Sequence, residues 1–297
     1  MPILLFACFF LLTAGSSLIQ RKCSEYVCND RLISNAVYLV LNSIAGCAAF
    51  FLLAGCRIYV DGKITFFGFL LSLACVGNVL FGLYAMKYCL AASVTAVRNG
   101  GSMVILAALG FWLWGDMVTV PRVVAIFVML VAVYCVFKAV KADTVQQTPL
   151  GKQLVFLGLV LVFWVLTTVV NKLFVEYCDE AYKNSYFFMT NVFMILYGVL
   201  FVAVYCVKHP FPKETVMALI QPKPVAYIAS NTVIGNLQTL VGLVLLGMVE
   251  VSVYSTVSTS LAILSGVVVS MILRQKMTKF TYVSVALAIF AVILQAL

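Results

Sequence analysis

The sequence predicts an all-α integral membrane protein, with ten transmembrane helices arranged as two inverted five-helix repeats. Three observations predict it. First, 64% of the 297 residues are hydrophobic and 10% are charged, against about 45–50% and about 25% in soluble domains. Second, apolar stretches of about 18–25 residues, each able to cross a hydrocarbon core of ~30 Å, recur along the chain. Third, polar residues of the second half repeat those of the first half in the same order.

Each apolar stretch is predicted to be a helix that spans the membrane. Helices satisfy their own backbone hydrogen bonds in lipid, and the stretches lack the alternating pattern of an outer-membrane barrel. The first stretch has no basic residues before it and has a counterpart later in the chain, so we expect a span and not a cleaved signal peptide. The predicted spans are Pro2–Gln20, Leu32–Cys56, Ile64–Met86, Leu90–Trp114, Val120–Val140, Gln153–Phe174, Ser185–Val207, Val225–Leu246, Val251–Leu273 and Lys279–Leu297.

The internal repeat is the most informative feature of the sequence. Spans one to five align in order with spans six to ten, which predicts one repeat at 1–140, a polar linker at 141–152 and a second repeat at 153–297. Because each repeat has an odd number of spans, the second copy is inverted in the membrane. The aligned polar pairs are Glu25 with Glu176, Asn35 with Asn184, Asn42 with Asn191, Asn78 with Asn236, Ser93 with Ser252 and Thr119 with Thr278.

A short turn before the last span of each half carries a resemblance to a known family. In the first half, Gly115–Thr119 reads Gly-Asp-Met-Val-Thr and resembles the Gly-Glu-Arg-x-Thr-like turn of the EamA-like branch of the drug/metabolite transporter superfamily. The matching segment, Arg274–Thr278, lacks both the glycine and the acid. Through its ten-span architecture the resemblance covers nearly the whole chain. It implies a secondary carrier that moves small organic metabolites or drugs by alternating access, at a mid-membrane site lined by the fourth and ninth spans.

Arg98 is the basic residue predicted to lie deepest in a span. It lies eight residues past Leu90, about 12 Å into the fourth span, where a charge costs roughly 2.5–3.5 kcal/mol. The following segment, Asn99-Gly100-Gly101, weakens the helix and frees backbone groups to line a cavity. We therefore predict that Arg98 and Asn99 bind substrate. The alternatives for Arg98 are that it reaches the near membrane surface or pairs with Glu250.

Neutral polar residues of other spans complete the candidate substrate-binding site. The ninth span is rich in hydroxyl groups at positions that match the Arg98 region, paired amides recur in the third and eighth spans, and the sixth span offers an aromatic face with two further donors, Thr168 and Asn171. For each of them, helix packing or hydrogen bonding between helices is the structural alternative. The candidates are Asn78, Trp164, Asn236, Gln238, Tyr254, Ser258 and Thr259.

The charge pattern favours one class of substrate. All ten acids lie in loops or at span ends, whereas a proton-coupled carrier of lipophilic cations needs a carboxylate within the bilayer. A lone buried guanidinium favours an anionic or zwitterionic substrate, such as an amino acid, an organic acid or a phosphorylated metabolite. We expect a plasma-membrane carrier that exports or exchanges small polar metabolites. The alternatives are a multidrug efflux carrier and a non-transporting membrane protein, either lipid-handling or an assembly partner.

Other functions find little support in the sequence. The one histidine, His209, lies in a loop, no phosphate-binding fingerprint is present, and Cys23 and Cys28 are too few for a zinc site, so we expect neither catalysis nor a metal or cofactor. The basic residues are scattered over short loops, which disfavours nucleic acid and leaves the lipid bilayer and a small-molecule substrate as partners. The small-residue spacing Ala262-x-x-x-Gly266 fits packing within one chain or a homodimer.

The same basic residues predict the orientation. The odd-numbered loops hold thirteen Lys and Arg residues and the even-numbered loops hold five. Short cytoplasmic loops carry the excess of positive charge, which places the odd-numbered loops in the cytoplasm.

Overall fold

The computed structural model describes residues 2–27, 32–88, 97–141, 150–211, 213–272 and 279–296, and every regular element in them is helical. A π-helical turn, Val97–Gly101, precedes α4, and a 3₁₀ turn, Glu180–Tyr182, precedes α7. The α-helices are α1 (Pro2–Val27), α2 (Leu32–Leu53), α3 (Gly62–Tyr88), α4 (Ser102–Leu113), α5 (Val120–Lys141), α6 (Leu150–Tyr177), α7 (Lys183–Lys208), α8 (Lys213–Leu219), α9 (Pro222–Met248), α10 (Val251–Ile272) and α11 (Lys279–Ala296).

The helices have the length and composition of membrane spans. Six of them, α2, α3, α6, α7, α9 and α10, contain segments long and apolar enough to cross a membrane, and shorter apolar stretches lie in α1, α4, α5 and α11. The protein is therefore an all-α, multi-pass membrane protein, which confirms the predicted fold class at that level. Each predicted span overlaps one of these ten stretches. The short helix α8, of seven residues, was not predicted.

Local sequence explains where several elements begin and end. Pro222 and Pro224 lie in the first turn of α9, where a missing backbone N–H costs nothing because the first N–H groups of a helix have no partner within it. After α4 the chain reverses at Gly115, whose φ of +65° lies in the left-handed region that glycine adopts without strain. Of the predicted linker, residues 142–149 lie outside the described part of the chain, whereas Lys141 and Leu150–Lys152 are helical.

The helices from the two halves of the sequence interleave. Helix α3 packs mainly against α6 and α7, and α1 packs mainly against α9 and α10. Helix α2 packs along α7, and α5 packs along α11. Most helix contacts therefore join the first half of the chain, α1 to α5, to the second half, α6 to α11, so the halves share one body.

Two apolar clusters hold these pairings together. In one of them, Phe174 and Tyr186 stack with ring centroids 4.0 Å apart, at the end of α6 and the beginning of α7. The other cluster contains four buried alanines, which let α5 and α11 approach closely. The buried members of the first cluster are Phe50, Ile64, Leu71, Val170, Phe174, Tyr186, Phe187 and Leu243; those of the second are Met103, Ala125, Met129, Ala132, Ala288 and Ala291.

Polar contacts join the helices at the end of the bundle where this first cluster lies. The Lys172 ammonium donates to the Leu246 carbonyl at 3.1 Å, which brings together the C-terminal ends of α6 and α9. The Asn184 side chain donates to the Leu53 carbonyl at 3.1 Å, and so links α7 to the end of α2. These bonds satisfy helix-terminal carbonyl groups that lack a partner within their own helix.

The turn Gly115–Thr119 is bound to the beginning of α10 at the same end. Asp116 is 9% exposed, and its carboxylate accepts a hydrogen bond from the Ser252 backbone N–H at 2.8 Å. Glu250 forms an ion pair with Arg122. An anion at a helix N-terminus is stabilising, because the first backbone N–H groups are unpaired and carry partial positive charge. We call the cluster of Asp116, Arg122, Glu250, Ser252, Lys172 and Leu246 the tied end. The matching segment of the second half, Arg274–Thr278, lies outside the described residues.

Candidate functional site

A cavity of about 400 Å³, with polar, aromatic and aliphatic side chains in its walls, lies inside the helix bundle. This volume is near the lower end of the range of about 300–1,000 Å³ that is typical of small-molecule sites. Its walls come from α1, α2, α3, the π-helical turn, α6, α7, α9 and α10. The polar residues that line it are Tyr38, Asn42, Asn78, Arg98, Thr167, Thr168, Asn171, Thr190, Asn191, Asn231, Thr232, Asn236, Gln238, Thr239 and Tyr254, and its aromatic walls include Phe9, Phe50, Trp164 and Phe187.

The Arg98 side chain lies over the indole ring of Trp164. The guanidinium carbon is 4.4 Å from the ring centroid, within the distance at which a cation and an aromatic face attract each other. Trp164 occupies the middle of the 28-residue helix α6, about 20 Å from either end at 1.5 Å per residue. The charge therefore lies level with the middle of a helix that is long and apolar enough to span a membrane. Its Nε atom is buried and has no hydrogen-bond partner among the described residues.

Two glycines let the π-helical turn hold Arg98 in this position. A side chain at Gly100 would overlap Val133 of α5, and a Cβ atom at Gly101 would lie 3.1 Å from Leu161 of α6. Because neither has a side chain, the turn fits between α5 and α6, with Arg98 on its cavity side. The structural role of these glycines is close approach of the backbone.

Hydrogen bonds between helices satisfy part of the polar wall. The Asn231 amide donates to the Tyr38 hydroxyl at 3.0 Å, which joins α9 to α2. The Gln238 amide donates to the Thr13 hydroxyl at 3.0 Å, which joins α9 to α1. Asn231 Oδ1 and Asn236 Nδ2 are buried and have no partner among the described residues. Both residues line the cavity, so its wall contains one acceptor and one donor without a partner among the described residues.

The structure brings most of the predicted site residues together. Six of the nine candidates line the cavity, as do Thr168 and Asn171. Asn99 belongs to the π-helical turn, but its side chain lies outside the described part of the structure. The six candidates are Asn78, Arg98, Trp164, Asn236, Gln238 and Tyr254.

Ser258 and Thr259 do not line the cavity. The Ser258 hydroxyl donates to the Ser255 carbonyl at 3.2 Å, within its own helix. Thr259 is 4% exposed and packs between helices. The burial and the hydrogen bond within the helix agree with the structural alternative, in which these hydroxyl groups serve the packing of α10.

The proposed ion pair between Arg98 and Glu250 is not formed. Glu250 instead pairs with Arg122 at the tied end, and it also accepts the Met117 backbone N–H at 3.3 Å. The reason is depth: Glu250 ends the connection between α9 and α10, whereas Arg98 contacts the middle of α6. Sequence position alone did not distinguish these depths.

Several residues that line the cavity were not predicted from the sequence, although their spacing along the chain follows the period of a helix. In α9, Asn231, Gly235, Gln238 and Gly242 recur every three or four residues and all line the cavity. The same spacing relates Trp164, Thr167 or Thr168, and Asn171 in α6. Residues so spaced share one face of a helix, so a search for polar and small residues at this period predicts both walls. The missed polar residues are Tyr38, Asn42, Thr167, Thr190, Asn191, Asn231, Thr232 and Thr239.

The described residues form no cluster of three or more His, Cys, Asp or Glu side chains suited to a metal ion. His209 is exposed and its ring lies against that of Tyr205, with centroids 4.6 Å apart. The Cys23 and Cys28 side chains lie outside the described part of the chain.

Comparison with known proteins bears on the fold. No family model and no curated protein matches the sequence. Among solved structures, 28 chains match. One of them, the crystal structure of a protein, gives a TM-score of 0.63 at 15% identity, over 99% of this chain and 95% of its own. At such low identity the likeness concerns the fold alone, and it extends over almost the whole of both chains.

Proposed function

We propose that this protein is a secondary carrier that exports or exchanges small polar organic metabolites across the plasma membrane by alternating access. The observation that carries the proposal is the cavity with amide and hydroxyl groups in its walls, which holds the charge of Arg98 level with the middle of helix α6. Charged and amide groups are costly inside a membrane, and in transporters they mark the substrate site between the repeats. The resemblance of the turn Gly115–Thr119 to that of the EamA-like branch supports placing the chain in that branch.

Helix packing supports the inverted repeat that such a mechanism uses. Helices α2 and α7 align in the sequence repeat, and they pack against each other in opposite directions. Phe50, near the end of α2, stacks on Phe187, near the beginning of α7, with centroids 5.1 Å apart. Val40, ten residues before Phe50 in α2, lies against Gly198, eleven residues after Phe187 in α7. Equivalent helices on a two-fold axis in the membrane plane meet in this way.

Other helix pairs also show a two-fold relation between the two halves of the chain. In the α5–α11 cluster, Met129 and Ala132 occupy positions that align with Ala288 and Ala291, and all four are buried there. The third helix of the first repeat packs on the first helix of the second, and the reverse pairing, α1 with α9, is also present. Each contact thus has a counterpart when the halves are interchanged, as two-fold symmetry requires.

The electrostatics of the cavity favours this carrier over the alternatives. A cationic drug would lie beside the Arg98 charge in a low-dielectric site, where like charges repel strongly. A lipid-handling or assembly partner has no need of amide and guanidinium groups around a cavity between membrane-spanning helices, since such groups cost free energy to insert. The charge rule for short loops places the tied end on the outer side in this proposal.

Filling the cavity tests the proposal. Gly235 lines the cavity, and a Cβ atom added there would meet no other atom within 4 Å; Gly158 has equal room but lies on an exposed face of α6. Gly235→Leu should abolish counterflow of amino acids and organic anions in proteoliposomes, and Gly158→Leu should leave it intact. Both variants should insert and elute as monodisperse protein, because neither position is crowded.

Two results would count against the proposal. If wild-type protein moves none of the amino acids, organic acids or phosphorylated metabolites tested, carrier function is wrong. If Gly235→Leu transports as well as Gly158→Leu does, the substrate does not pass through this cavity.

A further inference from the structure

We propose that the substrate is a singly charged, hydroxylated carboxylic acid and not a zwitterionic amino acid. This inference rests on the proposed carrier function and adds the chemical class that the same cavity selects. Its basis is the balance of charge around Arg98, together with the kinds of polar atoms that the cavity leaves without partners.

The Arg98 charge has no counter-ion among the described residues. Asp116 and Glu250, two acids with polar partners in other helices, are both engaged at the tied end. The lining residues of the cavity include one basic side chain and no acidic one. A buried unpaired charge is strongly unfavourable, and a guanidinium cannot lose its proton to escape that cost. A bound carboxylate would supply the missing charge and make the occupied site neutral.

An ammonium group would upset this balance. A zwitterion brings a positive charge together with its carboxylate, and that charge would lie near Arg98 in a site that screens it poorly. The described wall offers amide and hydroxyl groups, which are weaker partners for an ammonium than a carboxylate is. The cavity should therefore prefer an anion over its amino analogue of the same size.

The unused neutral groups suit hydroxyl groups on the substrate. Asn236 Nδ2 is a donor and Asn231 Oδ1 is an acceptor, and both are buried without a partner among the described residues. A hydroxyl group can accept from the first and donate to the second, whereas a hydrocarbon leaves both unsatisfied. The cavity volume of about 400 Å³ limits the acid to a small one.

Glycerate and serine form a matched pair of probes, because they differ only in a hydroxyl or an ammonium group at the second carbon. Proteoliposomes that contain the full chain would be loaded with both, and counterflow of each labelled compound would be measured. We expect glycerate to be preferred by at least about tenfold, which corresponds to ~1.4 kcal/mol of differential binding. Propionate, which lacks both hydroxyl groups and so leaves both amide groups unsatisfied, should be carried about 30-fold less well than glycerate, which corresponds to ~2 kcal/mol.

Two variants test whether Arg98 and the neutral wall set the preference. Arg98→Ala should reduce the glycerate-to-serine ratio to about one. Asn236→Asp places a carboxylate in the wall and should shift the ratio toward serine. Asn184→Asp makes the same change at a residue that binds the Leu53 carbonyl outside the cavity, so its ratio should equal that of the wild type.

The outcomes separate this inference from the proposed function. Transport of serine equal to or faster than transport of glycerate would overturn the inference and leave the carrier function standing. A glycerate preference that survives both Arg98→Ala and Asn236→Asp would also overturn it, because another group would then set selectivity. Absence of counterflow with every probe, in protein that remains monodisperse, would contradict the carrier function itself.

Discussion

The cavity and the tied end are both polar regions of an apolar protein, yet their charges are arranged in opposite ways. At the tied end, Asp116 accepts a helix-terminal N–H and Glu250 pairs with Arg122. In the cavity, Arg98 has an aromatic ring beside it and a buried Nε atom without a partner among the described residues. Charges that are paired within the protein stabilise the fold, whereas a charge left unpaired is available to a ligand. The difference separates a structural cluster from a candidate binding site.

The largest effect is expected for Arg98→Met, which removes the unpaired charge of the cavity and should reduce transport. Loss of a charge-assisted hydrogen bond to an anionic substrate, about 1.5–3 kcal/mol, should lower counterflow by about 10- to 100-fold. The unfolding temperature should stay the same or rise, because the change removes an uncompensated charge and keeps an apolar stem. Counterflow in proteoliposomes and thermal unfolding in detergent measure the two quantities. A large fall in unfolding temperature would assign Arg98 to the structure instead.

A smaller effect is expected at Asp116, where the substitution should lower stability more than it lowers transport. Asp116→Ala removes the cap on α10 and leaves the Ser252 N–H without its partner, which should destabilise the protein by about 1 kcal/mol, within the range of 0.5–2 kcal/mol for lost helix caps. Transport per folded molecule should fall less in Asp116→Ala than it does in Arg98→Met. Thermal unfolding, measured beside Glu176→Ala as an exposed acidic control in α6, would detect the difference. An unchanged unfolding temperature would show that the Asp116 cap contributes nothing to stability.

The smallest effect is expected for the ion pair. The Arg122 and Glu250 side chains are 19% and 34% exposed, and pairs of this kind contribute about 0–1 kcal/mol. Glu250→Gln should therefore lower the unfolding temperature less than Asp116→Ala does, and the difference from wild type should shrink as salt is raised. The comparison of the tied end with the cavity would break down if Glu250→Gln reduced transport as strongly as Arg98→Met.

The sequence was sufficient to predict the helical membrane fold, because hydropathy depends only on residue type and spacing. It was less informative about side-chain direction. Arg98 and Gly100 align with Val257 and Thr259 in the sequence repeat. Arg98 and Gly100 belong to a π-helical turn beside the cavity. Val257 and Thr259 belong to a continuous helix, and both of their side chains are buried. The partner of Glu250 was also not readable, since the contact with Arg122 joins helices from opposite halves.

Interleaving of the helices has a consequence for biosynthesis. Helices α1 and α3 find most of their packing surface on α6, α7, α9 and α10, all of which are synthesised later. While the ribosome is still translating the second half, the first half already inserted in the bilayer has lipid where its partners will be, including around the Arg98 side chain. Individually stable membrane helices can wait in this way before they associate. A chain that stops after α5 should therefore be recognised by quality control as incomplete, and assembly should depend on the last helices to leave the ribosome.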